Sequence, residues 1–168
     1  MLKNLHNIPS IELSFKPKFK LRDRPKVSRS NDLYQILMNN WNQNTIGFIE
    51  EFKVILLNTS GIVLGLLPVA SGGIGGVLVD IRLILVAAIN SGASGIVLAH
   101  NHPSMNLAPS KADIDITNQI KQGAALLNIK LIDHLIISND GYLSFADQQM
   151  LNTKQPRQML ENFEMTLI

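Results

Sequence analysis

The stretch Gly95-Ile96-Val97-Leu98-Ala99-His100-Asn101-His102 decides the fold. A short apolar run with no polar alternation is the pattern of a strand covered on both faces, which places it inside a layered sheet. Side chains alternate along a strand, so residues two apart share a side. If extended geometry continues to the end of the run, His100 and His102 aim their imidazoles at one point. Two histidines can grip one metal ion.

Downstream, a proline-bearing loop leads to Ser110, which opens a helix with Ile116, Ile120, Ala124 and Leu127 on one stripe. Asp113 falls in its first turn, where the chain can fold back and present a carboxylate to the two histidines. The expectation is a zinc site of His100, His102 and Asp113 with an open position for water, the arrangement of a catalytic zinc. Taken singly, these pieces are ordinary. Two nearby histidines are often only solvated groups on a loop, and Ser110-Lys111-Ala112-Asp113 reads equally as a capping box.

The flanking segments supply the rest of a mixed α/β (α+β) sandwich. Ser30 is a plausible cap for a helix carrying Leu33, Ile36, Leu37 and Trp41. A β-rich run over Glu50 to Leu57 turns at Asn58-Thr59-Ser60-Gly61 into a second run at Ile62 to Leu67, which predicts a hairpin. Asp80 caps a predicted helix bearing Ile81, Leu85 and Ala88. Leu131 to Ser138 reads as a strand, turned by Asn139-Asp140-Gly141 into Tyr142-Leu143-Ser144-Phe145. The expected organisation is an N-terminal segment over 1–29, one domain over 30–149 and a polar tail over 150–168.

The chain has 168 residues, 46% of them hydrophobic and 17% charged, which is enough apolar material for one core. It contains no cysteine, so disulfides, thiolate nucleophiles, cysteine zinc fingers and iron–sulfur clusters are excluded. Any metal must sit on nitrogen and oxygen. The formal net charge of +2 is unevenly spread: residues 1–30 hold eight Lys or Arg against two acids, leaving seven against eleven over 31–168. The basic character belongs to an arm containing Lys16, Lys18, Lys20, Arg22, Arg24, Lys26 and Arg29. Pro17 and Pro25 keep that arm extended. It reads either as a solvated leader or as a contact for nucleic acid or a partner. The first residues lack the apolar core of a secretory signal, and no apolar stretch reaches the roughly 20 residues that span a bilayer. A cytoplasmic protein without membrane association is the expectation.

The full pattern His100-x-His102, seven residues, Ser110, two residues, Asp113 resembles the signature of the JAMM (MPN+) metallopeptidases. His100-Asn101-His102-Pro103-Ser104, Pro109-Ser110-Lys111-Ala112-Asp113, Thr117, Asp133-His134 and Tyr142-Leu143-Ser144-Phe145 are similar to the RadC-like branch, traditionally labelled as DNA repair proteins. The likeness runs from about Glu50 to Phe145. It implies a JAB/MPN-like, cytidine-deaminase-like mixed sheet flanked by helices. It also implies a Zn2+-dependent hydrolase of amide, peptide or isopeptide bonds, acting on a protein or peptide. The alternative within the same family is a non-enzymatic DNA-repair or mobile-element accessory.

By the resemblance, Glu50 is the general base, because Glu followed two residues later by Phe aligns Glu50 with Phe52. Alternation separates Glu50 from Glu51 but leaves both on apolar faces, so periodicity does not choose between them. Ser110 is implied as a hydrogen-bond donor to the developing oxyanion. Asp133 and His134 fall on opposite faces of their strand, and both read as supporting groups rather than ligands. The glycine-rich Ser71 to Gly76 lacks the ending of a phosphate loop and reads as a connection near the site. Two departures from the family text stand out: Met105 replaces a usual glycine, and Ile81-Arg82-Leu83 replaces a Pro-Arg start.

Overall fold

In the computed structural model, residues 14–72 and 77–152 are described. The predicted hairpin forms β1, Glu51–Leu57, and β2, Val63–Ser71, paired antiparallel. Its turn is built by Asn58, whose side-chain Oδ1 accepts the N–H groups of Ser60 and Ile62, and by Gly61 at φ 74°. β2 outruns the expected Leu67 by four residues. Pro68 interrupts the apolar run in sequence, but β2 is an edge strand, and an edge accommodates a residue with no N–H to donate.

The double-faced apolar run becomes β3, Gly95–Asn101, with all seven residues buried. It lies between β1, antiparallel, and β4, Lys130–Ser138, parallel. β5, Gly141–Ser144, closes the order β2-β1-β3-β4-β5. The parallel β3–β4 connection is made by α3, Lys111–Leu126, as a crossover requires. This is a single-domain α/β fold whose mixed five-stranded sheet is flanked by three helices.

Both faces of the sheet are dry. α1, Ser30–Asn39, places Leu33 and Leu37 with Trp41 against Ile55, Leu57, Val97, Ala99, Leu135 and Ile137. On the other face α2, Ile81–Ser91, and α3 place Ile84, Ala88, Ile120 and Ala124 against Phe52, Val54, Leu56, Ile96 and Leu98. Each such Leu, Ile, Val or Phe side chain contributes about 1.5–3 kcal/mol on burial. Three expected details shift. α1 begins at Ser30, and Asp32 accepts the N–H groups of Ser28 and Arg29 ahead of it. In α2 the buried residues are Ile84 and the expected Ala88, while Ile81 and Leu85 are half-buried, because apolar residues surround that helix and hide its buried stripe. In α3 Leu127 lies past the helix end and is exposed, and the buried stripe is Asp113, Thr117, Ile120 and Ala124.

The segment just ahead of α1 is tied to the hairpin. Val27 N–H donates to Gly61 O, and Val63 N–H donates to Pro25 O, so residues 25–27 lie along the hairpin turn. Lys16, Lys18, Lys20, Arg22, Lys26 and Arg29 are exposed. Residues 1–13, 73–76 and 153–168, which include parts of the expected arm, glycine-rich connection and tail, lie outside the described residues. Among the described residues no helix is long and apolar enough to cross a membrane.

Candidate metal centre

The expected convergence of His100, His102 and Asp113 is present. His100 stands on β3 with its ring 1% exposed, and its Nε2 lies 2.9 Å from His102 Nε2 and 3.1 Å from Asp113 Oδ1. His102 Nε2 lies 3.4 Å from Asp113 Oδ2. One ligand atom from each residue falls within 4.8 Å of the others. Asp113 reaches them because Ser110 caps α3: the serine Oγ accepts the Asp113 N–H at 3.1 Å, and Asp113 Oδ2 accepts the Ser110 N–H at 2.7 Å. The capping box and the metal-type triad are therefore one structure, and the two readings of Ser110 to Asp113 do not compete.

The donor set suits a divalent cation. His102 Nδ1 contacts the carbonyl of Asn106, and a carbonyl only accepts, so the ring proton sits on Nδ1 and Nε2 carries the lone pair. Asp113 Oδ2 is occupied by both the N–H and the hydroxyl of Ser110, which leaves Oδ1 toward the histidines. Two imidazole nitrogens and one carboxylate oxygen then face one another at the wall of an open pocket of about 910 Å³. The electrostatics carry the same message. Burial pushes the Asp113 carboxyl up, but the imidazoles of His100 and His102 beside it, as donors when protonated, and the Ser110 hydrogen bond outweigh it and hold the group well below the usual carboxylate range. Asp113, by accepting from the protonated His102 ring, raises that imidazole above its ordinary value. The site wants positive charge.

The two glutamates separate as alternation requires. Glu50 is half-buried, lines the pocket with both histidines and lies close enough for its charge to help raise His102. Glu51 turns to the other face, where it meets Lys53 Nζ at 3.6 Å, and that ammonium sits 4.0 Å over the Trp41 ring. The Ser110 hydroxyl proton is directed at Asp113 Oδ2, 2.7 Å away. Phe48 and Leu78, 69% and 93% exposed, stand on the pocket rim with Val77 and Val79, so the chain around the glycine-rich connection does border the site.

Sequence reasoning assigns no role to Asn101, the residue between the two histidines. It is fully buried and points away from them. Its Oδ1 accepts the Glu51 N–H, and its Nδ2 donates to the carbonyls of Ile46 and Ile49. Asn101 therefore fixes the segment that carries Glu50. The signal was available in principle, since a polar residue in an otherwise apolar strand needs partners.

His134 and Asp133 take opposite faces, as expected. Burial pushes His134 well below its ordinary value, and burial raises Asp133 against the opposing hydrogen bonds of Ser144, Ala146 and His134. His134 Nε2 lies 2.8 Å from His100 Nδ1. That position depends on an irregularity in β4. Ile96 pairs with Leu131, but Val97 pairs with Asp133, so one extra residue, Ile132, is inserted. The insertion reverses the alternation. Leu131 and His134 consequently share the face of α2 and α3, and an uninterrupted strand would have turned His134 to the other side.

Fold and site together define a JAB/MPN-like domain with a buried histidine–aspartate group capable of holding a metal. The profile of the RadC-like JAB domain matches residues 27–150, and the chain belongs to that family. Relatives include a UPF0758 protein of Flavobacterium johnsoniae, 42% identical over 125 residues covering 73% of this chain and 52% of the relative. One from Porphyromonas gingivalis is 46% identical over 103 residues, 61% of this chain and 45% of the relative. Another from Fusobacterium nucleatum is 38% identical over 156 residues, 89% of this chain and 65% of the relative. The chain thus spans about half to two thirds of the length of these relatives.

Proposed function

We propose that the protein is a zinc-dependent hydrolase of amide bonds in a peptide or isopeptide linkage. The observation that carries this reading is the convergence of His100 Nε2, His102 Nε2 and Asp113 Oδ1 beside Glu50 in an open pocket. His100, His102 and Asp113 would hold the ion, and three protein ligands with an open side are the mark of a catalytic rather than a structural site. When bound, zinc lowers the pKa of a coordinated water toward about 7 and polarises a carbonyl.

Glu50, which lines the same pocket, accepts the proton of the attacking water in this reading and returns it to the leaving amine, a role worth about 10²–10⁴-fold in rate. Ser110 donates to the substrate oxyanion by swinging its hydroxyl proton off Asp113 Oδ2, while its oxygen keeps the α3 cap. Phe48, Val77, Leu78 and Val79 line the pocket with apolar surface, which favours an extended peptide with an apolar side chain next to the cleaved bond.

The test is cleavage of peptide and isopeptide substrates by the zinc-loaded protein beside a Glu50→Gln variant. The expected result is cleavage by the wild type, reduced at least about 10²-fold in the variant with its zinc retained. Equal rates would remove Glu50 from the reaction.

A second reading, nucleic-acid binding by the basic segment, is supported by the exposed Lys16, Lys18, Lys20, Arg22, Lys26 and Arg29. Several phosphate contacts would make affinity fall steeply with salt. Duplex DNA that fails to bind the full chain even at low salt would dispose of this role.

A further inference from the structure

The ring of His134 is joined on both sides. Its Nε2 meets His100 Nδ1, and its Nδ1 meets Thr117 Oγ1 at 2.6 Å. Thr117 in turn contacts the backbone carbonyl of Asp113, one turn earlier in α3. These contacts run from one proposed ligand, His100, to another, Asp113, without passing through the ligand atoms themselves.

The direction of every proton in this chain follows from its end. The Asp113 carbonyl has no proton to give, so the contact with Thr117 is made by the threonine hydroxyl donating, the familiar back-bond of a helical threonine. A hydroxyl has one proton. Having given it to Asp113 O, Thr117 Oγ1 can only accept from His134, which puts the His134 proton on Nδ1. His134 is fully buried between aromatic rings, and the Asp133 carboxylate bonds its backbone N–H rather than its ring, so as a neutral ring protonated at Nδ1 it bears a lone pair on Nε2. The bond to His100 is then completed by His100 Nδ1–H, and a neutral His100 carries its own lone pair on Nε2.

We infer that Thr117 and His134 are positioning residues that set the tautomer of His100 and so present its Nε2 as a bare donor to the metal. The inference rests on the zinc reading of the triad and adds to it the groups that prepare one ligand. Ring orientation is fixed independently of the hydrogen bonds. Phe52 lies parallel to His100 at 6.0 Å and 8°, and Phe145 stacks on His134 at 4.8 Å and 26°. The insertion at Ile132 is what brings His134 to this side of the sheet.

The tautomer is readable in the metal-free wild type by long-range proton–nitrogen NMR of histidine-labelled full chain. Both His100 and His134 are expected as Nδ1–H tautomers, and a His100 with its proton on Nε2 would overturn the inference. The consequence for metal is read by zinc titration of Thr117→Val and Thr117→Ser beside wild type. Valine keeps the shape and removes the hydroxyl, so zinc affinity should fall about 10–100-fold, the usual loss when a group supporting a ligand is removed, whereas serine should restore it to within about threefold of wild type. A valine variant that binds as tightly as wild type, or a serine variant that loses as much as valine, overturns the inference. If wild type itself takes up no zinc, the zinc reading fails, and the NMR result still decides the proton arrangement.

Discussion

Asn101 and Glu51 are joined side chain to backbone: Oδ1 of the buried amide accepts the Glu51 N–H at 2.8 Å, while Nδ2 of the same amide holds the carbonyls of Ile46, at 2.6 Å, and Ile49, at 2.8 Å. The middle residue of His-Asn-His thereby fastens the start of β1 to the end of β3, and Glu50 is placed as a result.

Replacing Asn101 by Ala would leave one backbone N–H and two carbonyls without partners at buried to half-buried positions, at about 1–3 kcal/mol for each group left unpaired. The variant should therefore lose at least about 2 kcal/mol in urea unfolding, allowing for relaxation around the site. Asn101→Asp is the sharper comparison. It preserves shape and the Glu51 bond but sets a carboxylate against two carbonyls, so it should be at least as damaging as Ala. An aspartate variant of near wild-type stability would show that the amide donor has no such role.

Met105 ends a turn in which its N–H donates to His102 O at 2.9 Å, and it adopts φ 61°. That backbone region costs an ordinary side chain about 1–2 kcal/mol, against about 0.5–1 kcal/mol of added chain entropy for glycine. Met105→Gly should raise the stability by about 0.5–1 kcal/mol, measured as a higher urea midpoint, whereas Met105→Ala should change it little. A destabilised glycine variant would mean that the exposed methionine side chain contributes more than its backbone costs.

Metal affinity should depend on pH with a definite sign. The Asp113 hydrogen bond raises His102, so without metal that imidazole keeps its proton to a higher pH than the ordinary value of about 6.5. A metal ion must displace that proton. Affinity should thus be full well above the raised value and fall by about tenfold for each pH unit below it per proton displaced. Zinc titrations between pH 8 and 5.5 check this, and a flat profile would contradict it.

Much of this site was legible because its parts are local. The strand ending in two histidines, the serine cap and the aspartate within its first turn each follow from period-two or period-3.6 geometry, and their spacing carries the family likeness. Glu50 separates from Glu51 only when the partners of β1 are known, since both faces of that strand are apolar in sequence. The roles of Asn101, Thr117 and His134 depend on contacts between residues 17 to 55 positions apart and on the residue inserted at Ile132. Local periodicity carries no record of such an insertion, and it would have turned His134 the wrong way.

The central claim is that His100, His102 and Asp113 hold a metal ion, and it is tested most directly by the zinc content of the purified protein beside a His100→Ala/His102→Ala double variant. About one zinc per chain in the wild type and none in the double variant is the predicted result. Equal zinc in the two proteins, with both shown to be folded, would contradict it.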